Sequence, residues 1–283
     1  AVSLAEYAKQ NGLTKVGARE SLLSYVKHAW QRRDFAYVMA LYTDQANSSR
    51  NRLGRWWLVL VPTLQAAVYG LIFGILLGGS RPENFIPFLI TGVFLFSFLQ
   101  GAYSSGANSV TSNIGLVRSL SFPRILLPIN ALIQQVFSLL PQVALLLITL
   151  LLFQQQVTWN WLYLIPILLL MVVFGFGLAT ISARLTVHVQ DLNKLNPFLT
   201  RVMFYVSGIF FSIETVLKDY PVAMQIATWN PVYVYISLAR GAMVEGYAMT
   251  AGMWIAAVAW AFGLFIVGIV FFWRAEERYG REI

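Results

Sequence analysis

The side chains that carry acid–base, nucleophilic or metal chemistry are sparse in this chain and stand far apart. There is no Cys, so no thiolate ligand, Cys nucleophile or disulfide is available. The two histidines, His28 and His188, lie far apart in polar stretches. That argues against zinc, which takes three or four protein ligands. Asp34, Asp44 and Asp191 are isolated carboxylates with no partner pattern. No Gly-x-x-x-x-Gly-Lys-[Ser/Thr] loop occurs, so the chain cannot hydrolyse ATP by that route. No catalytic, metal or cofactor site is expected in this chain.

Aromatic rings, by contrast, are abundant, at 15% of residues. Trp56, Trp57, Tyr69 and Phe73 share one apolar stretch. Phe88, Phe94, Phe96, Phe98 and Tyr103 share the next, and Phe204, Tyr205, Phe210 and Phe211 a later one. Many such rings serve as lipid-facing bulk or as interfacial belts of Trp and Tyr. A second use is chemical. Sugar rings have apolar C–H faces that pack on aromatic faces without charge, so a chain of sugars could slide along such a path. Trp56, Trp57, Tyr69, Phe73, Phe204, Tyr205 and Phe211 are the candidates to line it.

The elements that would position these rings follow from composition. Of 283 residues, 58% are hydrophobic and 11% charged, against about 25% charged in soluble domains. Mean hydropathy is +0.65. These figures exclude a disordered tail, a secreted disulfide domain and an ordinary cytosolic enzyme. One soluble core of this size could not hide so much apolar surface; the natural solvent is a bilayer.

Six hydrophobic spans are predicted: about Trp57 to Leu77, Phe85 to about Gly106, about Ile125 to Phe153, about Trp161 to Ala183, about Phe198 to Ile213 and about Met249 to Trp273. Five of the six contain no Asp, Glu, Lys, Arg or His, and the fifth carries only Arg201, near its polar start. Crossing takes about 20 apolar residues, so the fifth must borrow length from its polar flanks. Backbone groups in lipid must be bonded internally, and no short alternating segments suggest a barrel. The fold class expected is an all-α membrane protein. Ion-coupled carriers need ionisable groups in the membrane. With only Arg201, at the polar start of the fifth span, uphill work is expected to draw on another chain.

The formal net charge is +8. Nine Lys/Arg precede residue 56, and seventeen of the twenty fall in segment 1–55, the loops after the second and fourth spans, and the tail. The positive-inside rule then puts both termini in the cytoplasm. Much of the charge is thus topology, and no nucleic-acid partner is expected. The division is a cytoplasmic arm (1–55), a transmembrane domain (56–273) and a cytoplasmic tail (274–283). No signal peptide is read in 1–55, where no apolar run precedes a small-residue cleavage site.

From Arg19 to about Tyr42 the arm reads as an amphipathic helix, with Leu22, Leu23, Val26 and Trp30 on one face. It would lie in the headgroup plane or pack on another subunit. Residues 214–248 mix charges with apolar runs too short to cross, broken by Pro221 and Pro231. A re-entrant or interfacial segment before the last span is the reading. No internal repeat or paired broken helices of the secondary-transporter kind are found.

Leu53-Gly54-Arg55-Trp56-Trp57-Leu58-Val59-Leu60-Val61-Pro62 resembles the opening of the first span in type-2 ABC exporter permeases that export O-antigen, teichoic acid or cell-wall galactan on lipid carriers. Phe73-Gly74 fits the pair that follows. Asn113-x-x-Leu116-Val117-Arg118 with Phe122-Pro123-Arg124-x-x-Leu127-Pro128 is similar to the block after the family's second span. Trp229-Asn230-Pro231 followed by Ala239-Arg240-Gly241 is similar to its motif before the last. Two departures are Gln190-Asp191 where the family often has Arg-Asp, and Ser207-Gly208 where it often has Pro.

The resemblance implies a half-transporter of the bacterial plasma membrane. A second copy would complete the channel, and two copies of a separate ATPase subunit would bind ATP and Mg below it. It implies a coupling helix, placed at Thr111–Leu120, with Asn113, Leu116, Arg118 and Leu120 facing the ATPase. The substrate implied is a polysaccharide on a lipid pyrophosphate. Arg50, Arg52 and Arg55 at the membrane edge could hold that headgroup through charge-assisted hydrogen bonds, or simply anchor the orientation. Tyr233 and Tyr235 are candidates for an outer gate in segment 214–248. Rival readings are a type-2 exporter of a small molecule or lipid, and a non-transport scaffold of a polysaccharide synthase.

Overall fold

A computed structural model describes residue 7, residues 20–49 and residues 52–279. Among these the regular structure is helical, with no strand. The arm forms α1 (Leu22–Gln31) and α2 (Arg33–Ser49). Then come α3 (Trp57–Leu76), α4 (Phe85–Ser109), the short α5 (Ile114–Ser119), α6 (Leu126–Leu152) and α7 (Leu164–His188). The last stretch holds α8 (Leu192–Val206), the small helices α9 (Ile213–Val216) and α10 (Pro221–Thr228), α11 (Pro231–Met243) and α12 (Ala251–Arg274).

Five helices are long and apolar enough to cross a membrane: Gly54–Leu76, Phe85–Ser109, Leu126–Leu152, Trp159–His188 and Ala251–Arg274. The predicted fifth span is not among them. Its helix starts earlier, at Leu192 among polar residues, carries Pro197 within it, and stops at Val206 after 15 residues. That is about 22 Å of rise against about 30 Å of hydrocarbon. Ser207 bends its hydroxyl back to the Met203 carbonyl at 2.6 Å, and Gly208 then takes φ +62°, a conformation glycine adopts freely. The apolar run continues past that point, but the helix does not.

α4 is the axis of the bundle: 72% of its apolar window is buried, against 11% for α3. It packs on α3, α6, α7 and α11, and α7 packs on α12. Small residues make the close crossings, as expected where lipid offers no hydrophobic drive to association. A Cβ on Gly106 would stand 2.4 Å from the Ala179 Cα, and one on Gly177 would stand 2.5 Å from the Leu264 carbonyl oxygen.

The prolines open the backbone ladder, and one repair is visible. Pro62 has no N–H to give the Leu58 carbonyl four residues back. Gln142 Nε2 on α6 donates to that carbonyl at 2.9 Å, while its Oε1 accepts the Ser97 hydroxyl of α4 at 2.7 Å. One buried amide thus joins three spans and satisfies a group that lipid could not.

The predicted single arm helix is two. The Arg32 N–H is shared between the carbonyls of His28 and Ala29, and the chain restarts as α2. Tyr25 and Ala29 face the bundle, whereas Leu23, Val26 and Trp30 are exposed.

Gly106→Ala or Gly177→Ala should lower stability by about 1–3 kcal/mol through overpacking. Gly263→Ala, whose Cβ meets nothing within 4 Å, should not. Thermal unfolding midpoints in one detergent will separate the two groups.

Candidate functional site

Four places hold the sequence-predicted residues. The first is an aromatic wall where α3, α4 and the end of α8 meet. Phe73 stacks on Phe210 with centroids 3.9 Å apart, and Tyr69 meets Phe204 at 5.0 Å. Phe204 meets Tyr205 at 5.7 Å, Tyr205 meets Phe210 at 5.7 Å, and Phe210 meets Phe211 at 5.2 Å. Five of the seven predicted path residues therefore form one continuous cluster. Phe210, which was not among the seven, holds it together. Phe204 and Phe210 are buried, Tyr69, Phe73 and Phe211 are half-buried, and Tyr205 is exposed. Trp56 and Trp57 stand apart, exposed at the start of α3.

The second place is the arm end of the bundle. Arg55 pairs with Asp44 of α2 at 2.6 Å, which gives it a structural partner. Arg52 is exposed, and Arg50 lies outside the described residues. Here Glu276, just past α12, is 8% exposed. It accepts the Tyr25 hydroxyl at 2.7 Å and the Arg124 backbone N–H at 3.1 Å. The Tyr25 oxygen accepts the Ile125 N–H at 3.2 Å. The Arg124 guanidinium donates to the Glu276 carbonyl. Burial pushes the Glu276 carboxyl above the usual carboxylate range, against the opposing pull of the Arg124 N–H, the Tyr25 hydroxyl and the Arg124 charge.

The third place is the expected coupling segment. A 3-10 turn (Thr111–Asn113) runs into α5. Val117 is buried beneath it. Ser112, Gly115, Arg118, Ser119 and Leu120 are exposed, and Asn113 and Leu116 are half-buried. Asn113 Nδ2 is committed to the Ser109 carbonyl at 2.8 Å. The loop beyond α5 is strapped to the arm: Arg32 Nη1 donates to the Ser121 carbonyl at 2.7 Å, and Phe35 packs on Phe122 with centroids 5.5 Å apart.

The fourth place is segment 214–248, at the far end. Its charges were read as loop charges, but Arg240 is 3% exposed inside the bundle. Its Nε and Nη2 donate to the Phe88 carbonyl at 3.1 and 3.0 Å, Nη1 to that of Gly208 at 2.9 Å, and Nη2 to that of Ile209 at 2.8 Å. The guanidinium lies over the Phe88 ring, 3.3 Å from its centroid. Asn230 Oδ1 accepts the Val232 N–H at 3.0 Å with Pro231 in the first turn of α11, while its Nδ2 reaches the Ser207 hydroxyl at 2.9 Å. The Asn-Pro…Arg motif is thus a clamp on the reversal after α8. The expected gate tyrosines separate. Tyr233 donates to Glu214 and lines a cavity. Tyr235 is fully buried, with its hydroxyl on the Ala257 carbonyl at 2.8 Å.

The described residues thus form an all-helical bundle with five helices long and apolar enough to cross a membrane. The chain belongs to the ABC-2 type transporter family, whose model matches residues 39–244. It is similar to an O-antigen export system permease protein, RfbA, of Klebsiella pneumoniae, at 25% identity over 230 residues, covering 80% of this chain and 86% of the relative. A Myxococcus xanthus protein of the same name is 22% identical over 211 residues, 75% of this chain and 80% of the relative. The polysialic acid transport protein KpsM of Escherichia coli is 24% identical over 202 residues, 69% of this chain and 76% of the relative. The resemblance to polysaccharide-export permeases, first drawn from the motifs, stands.

Arg240→Lys keeps the charge but loses the fork that serves three carbonyls. Hydrogen bonds to charged groups contribute about 1.5–3 kcal/mol each, so the variant should unfold at markedly lower temperature. Gly92→Ala, whose Cβ would stand 2.7 Å from Arg240 Nη2, should do the same; two unchanged midpoints would refute the clamp.

The raised Glu276 pKa means that the folded chain holds this proton more tightly than the unfolded one. The group's stabilising contribution is complete below the ordinary carboxyl pKa and is lost as pH rises through the raised one. The midpoint of wild type minus that of Glu276→Gln should therefore fall as pH rises above the ordinary carboxyl range of about 4.5.

Proposed function

We propose that two copies of this chain form the membrane channel of an ATP-driven exporter, with two copies of a separate ATPase beneath them. Its cargo is a polysaccharide on a lipid pyrophosphate, moved from the cytoplasm to the outer face of a bacterial plasma membrane. The observation that carries this reading is the aromatic wall. Rings from α3, α4 and the end of α8 form one surface; α3 and α4 carry no acidic or basic side chain, and α8 brings Arg201 to its edge, one turn before Phe204. A ring-faced surface of low charge lets sugar faces slide and does little to trap a phosphate-bearing polymer.

The rest of the reading follows from chemistry and topology. The arm, the coupling loop and the tail share one end, and by the positive-inside rule that end is cytoplasmic. α8, with the short helices after it, supplies the sixth crossing, and 214–248 re-enters from the outer face, with Tyr233 at the gate and Tyr235 fixing it to α12. Arg52, Arg50 and Arg55 form the basic edge that meets the pyrophosphate. Arg118 and Leu120 present the face that the ATPase pushes, Asn113 shapes the turn before it, and Leu116 lies beneath with Val117. ATP and Mg stay on the partner. The push shifts the channel only as far as the partner's affinity differs between its closed and open states.

Deletion of the gene should abolish surface polysaccharide and leave lipid-linked polymer inside the cell, with restoration by the wild-type copy. Tyr69→Ala and Tyr205→Ala each remove a ring contact worth about 1 kcal/mol, so export should slow roughly five-fold, with Tyr205→Phe near wild type. Surface polymer unaffected by the deletion would refute the function.

A further inference from the structure

Segment 214–248 encloses a cavity of about 260 Å³ between α11, the start of α4 and the reversal after α8. Pockets for drug-sized ligands begin at about 300 Å³, so this one holds a single small ring. Four aromatic side chains line it: Phe88, Phe211, Tyr233 and Tyr247, with Phe88 and Tyr247 tilted together at 5.3 Å between centroids. Polar groups line it too: the Glu214 carboxylate, the Tyr233 hydroxyl and the Ser237 hydroxyl.

The polar groups are held in place yet not exhausted. Glu214 accepts the Tyr233 hydroxyl at one oxygen and the Ser212 hydroxyl at the other, at 2.8 Å for the latter. An ionised carboxylate has about four acceptor positions, so both oxygens can still take a ligand O–H. Arg240 also borders the cavity, with its N–H groups given to backbone carbonyls. Its charge offsets that of Glu214. An anionic ligand would meet the carboxylate and a cation would meet the guanidinium. A neutral ring bearing several hydroxyls and an apolar C–H face fits both constraints. The cavity also adjoins the aromatic wall, because Phe211 lines the one and packs on Phe210 of the other at 5.2 Å.

We propose that this cavity is a subsite for one neutral pyranose unit of the exported glycan, set at the far end of the aromatic wall. The inference deepens the function proposed above and rests on it for the source of the sugar. Occupancy would hold α11 against the reversal after α8 while the chain passes.

The test uses the purified full chain in detergent with methyl α-D-glucopyranoside, methyl α-D-mannopyranoside and methyl β-D-galactopyranoside, each at about 10 mM, a concentration suited to millimolar affinity. Saturation-transfer NMR should mark the ring C–H protons of at least one of them. Losing a hydrogen bond to a charged group is worth about tenfold in affinity. Glu214→Gln, which leaves an acceptor for Tyr233, and Ser237→Leu, which fills the cavity, should each cut the signal by that factor. Leu152→Ala, on an exposed face of α6, should leave it intact, and size-exclusion elution will show which variants are folded. Silence with all three glycosides, or full signal in folded Ser237→Leu, overturns the subsite. In cells, the two pocket variants should shorten or reduce surface polymer. If deletion abolishes that polymer and the folded pocket variants leave it unchanged, the subsite fails while the export function stands.

Discussion

A guanidinium inside a membrane bundle must place its N–H groups or destabilise the fold, because no water is there to take them. Arg240 meets that demand with three backbone carbonyls from two distant parts of the chain, Phe88 on α4 and Gly208–Ile209 after α8. The Gly208 and Ile209 carbonyls have their own need for donors. The last carbonyls of a helix and the first of a turn lack intrahelical partners, and the reversal after α8 is where such groups accumulate. One side chain satisfies them and in doing so positions everything nearby. Gly208 can turn only with its neighbours held, and Phe210 and Phe211 follow two and three residues later. The aromatic wall and the outer cavity are thus both consequences of where the Arg240 fork lies.

The same accounting explains the first span. A proline there would be a defect in water and a larger one in lipid. Gln142 makes it a joint, because the carbonyl that Pro62 leaves free becomes the point where α6 grips α3. The bundle is therefore pinned by two polar side chains placed where the helical ladder is incomplete, one at each of two resemblance motifs. Glycine crossings, apolar packing and further bonds between helices, such as Gln135 to Ser105 and Ser182 to the Tyr103 carbonyl, hold the rest. α3 remains largely uncovered, with 11% of its apolar window buried.

Hydropathy made the five long helices legible, since 23 or more residues of high mean hydropathy with charges only near their ends leave little choice but a span. It misplaced the other. The run Val202 to Ile213 is apolar but for two serines and a glycine, so composition alone carries it past Ser207-Gly208. Yet a hydroxyl folding back on Met203 and a left-handed glycine end the helix there. The rings of the path were legible as residue types, but their assembly depends on that break, which brings Phe210 back under Phe73. Arg240 was counted as a loop charge because it sits among Glu214, Lys218, Asp219 and Glu245. Its spacing after Asn230-Pro231 was the signal that it belonged to a helix opened by that proline and not to a loop. The arm's periodicity identified an amphipathic helix but not the Arg32 break, which arises from a contact with Ser121 some ninety positions away.

That contact bears on how motion could cross the membrane protein. α5 is six residues long, with Val117 as its buried member, and a helix so short has little packing of its own. What stiffens it is the arm: Arg32 on Ser121, Phe35 on Phe122, and the Tyr25–Glu276–Arg124 knot at the entry to α6. Each bond joins segments far apart in sequence, so the loop cannot shift without moving the arm, the end of α12 and the first turn of α6 together. A force applied at the exposed Arg118–Leu120 edge is then delivered to a long helix rather than dissipated in a loop. Because Glu276 is buried, breaking the knot would leave a carboxylate without its partners in a poorly solvated place. The cost of that state keeps the coupling rigid, and it places the lever at the arm end, opposite the Arg240 clamp.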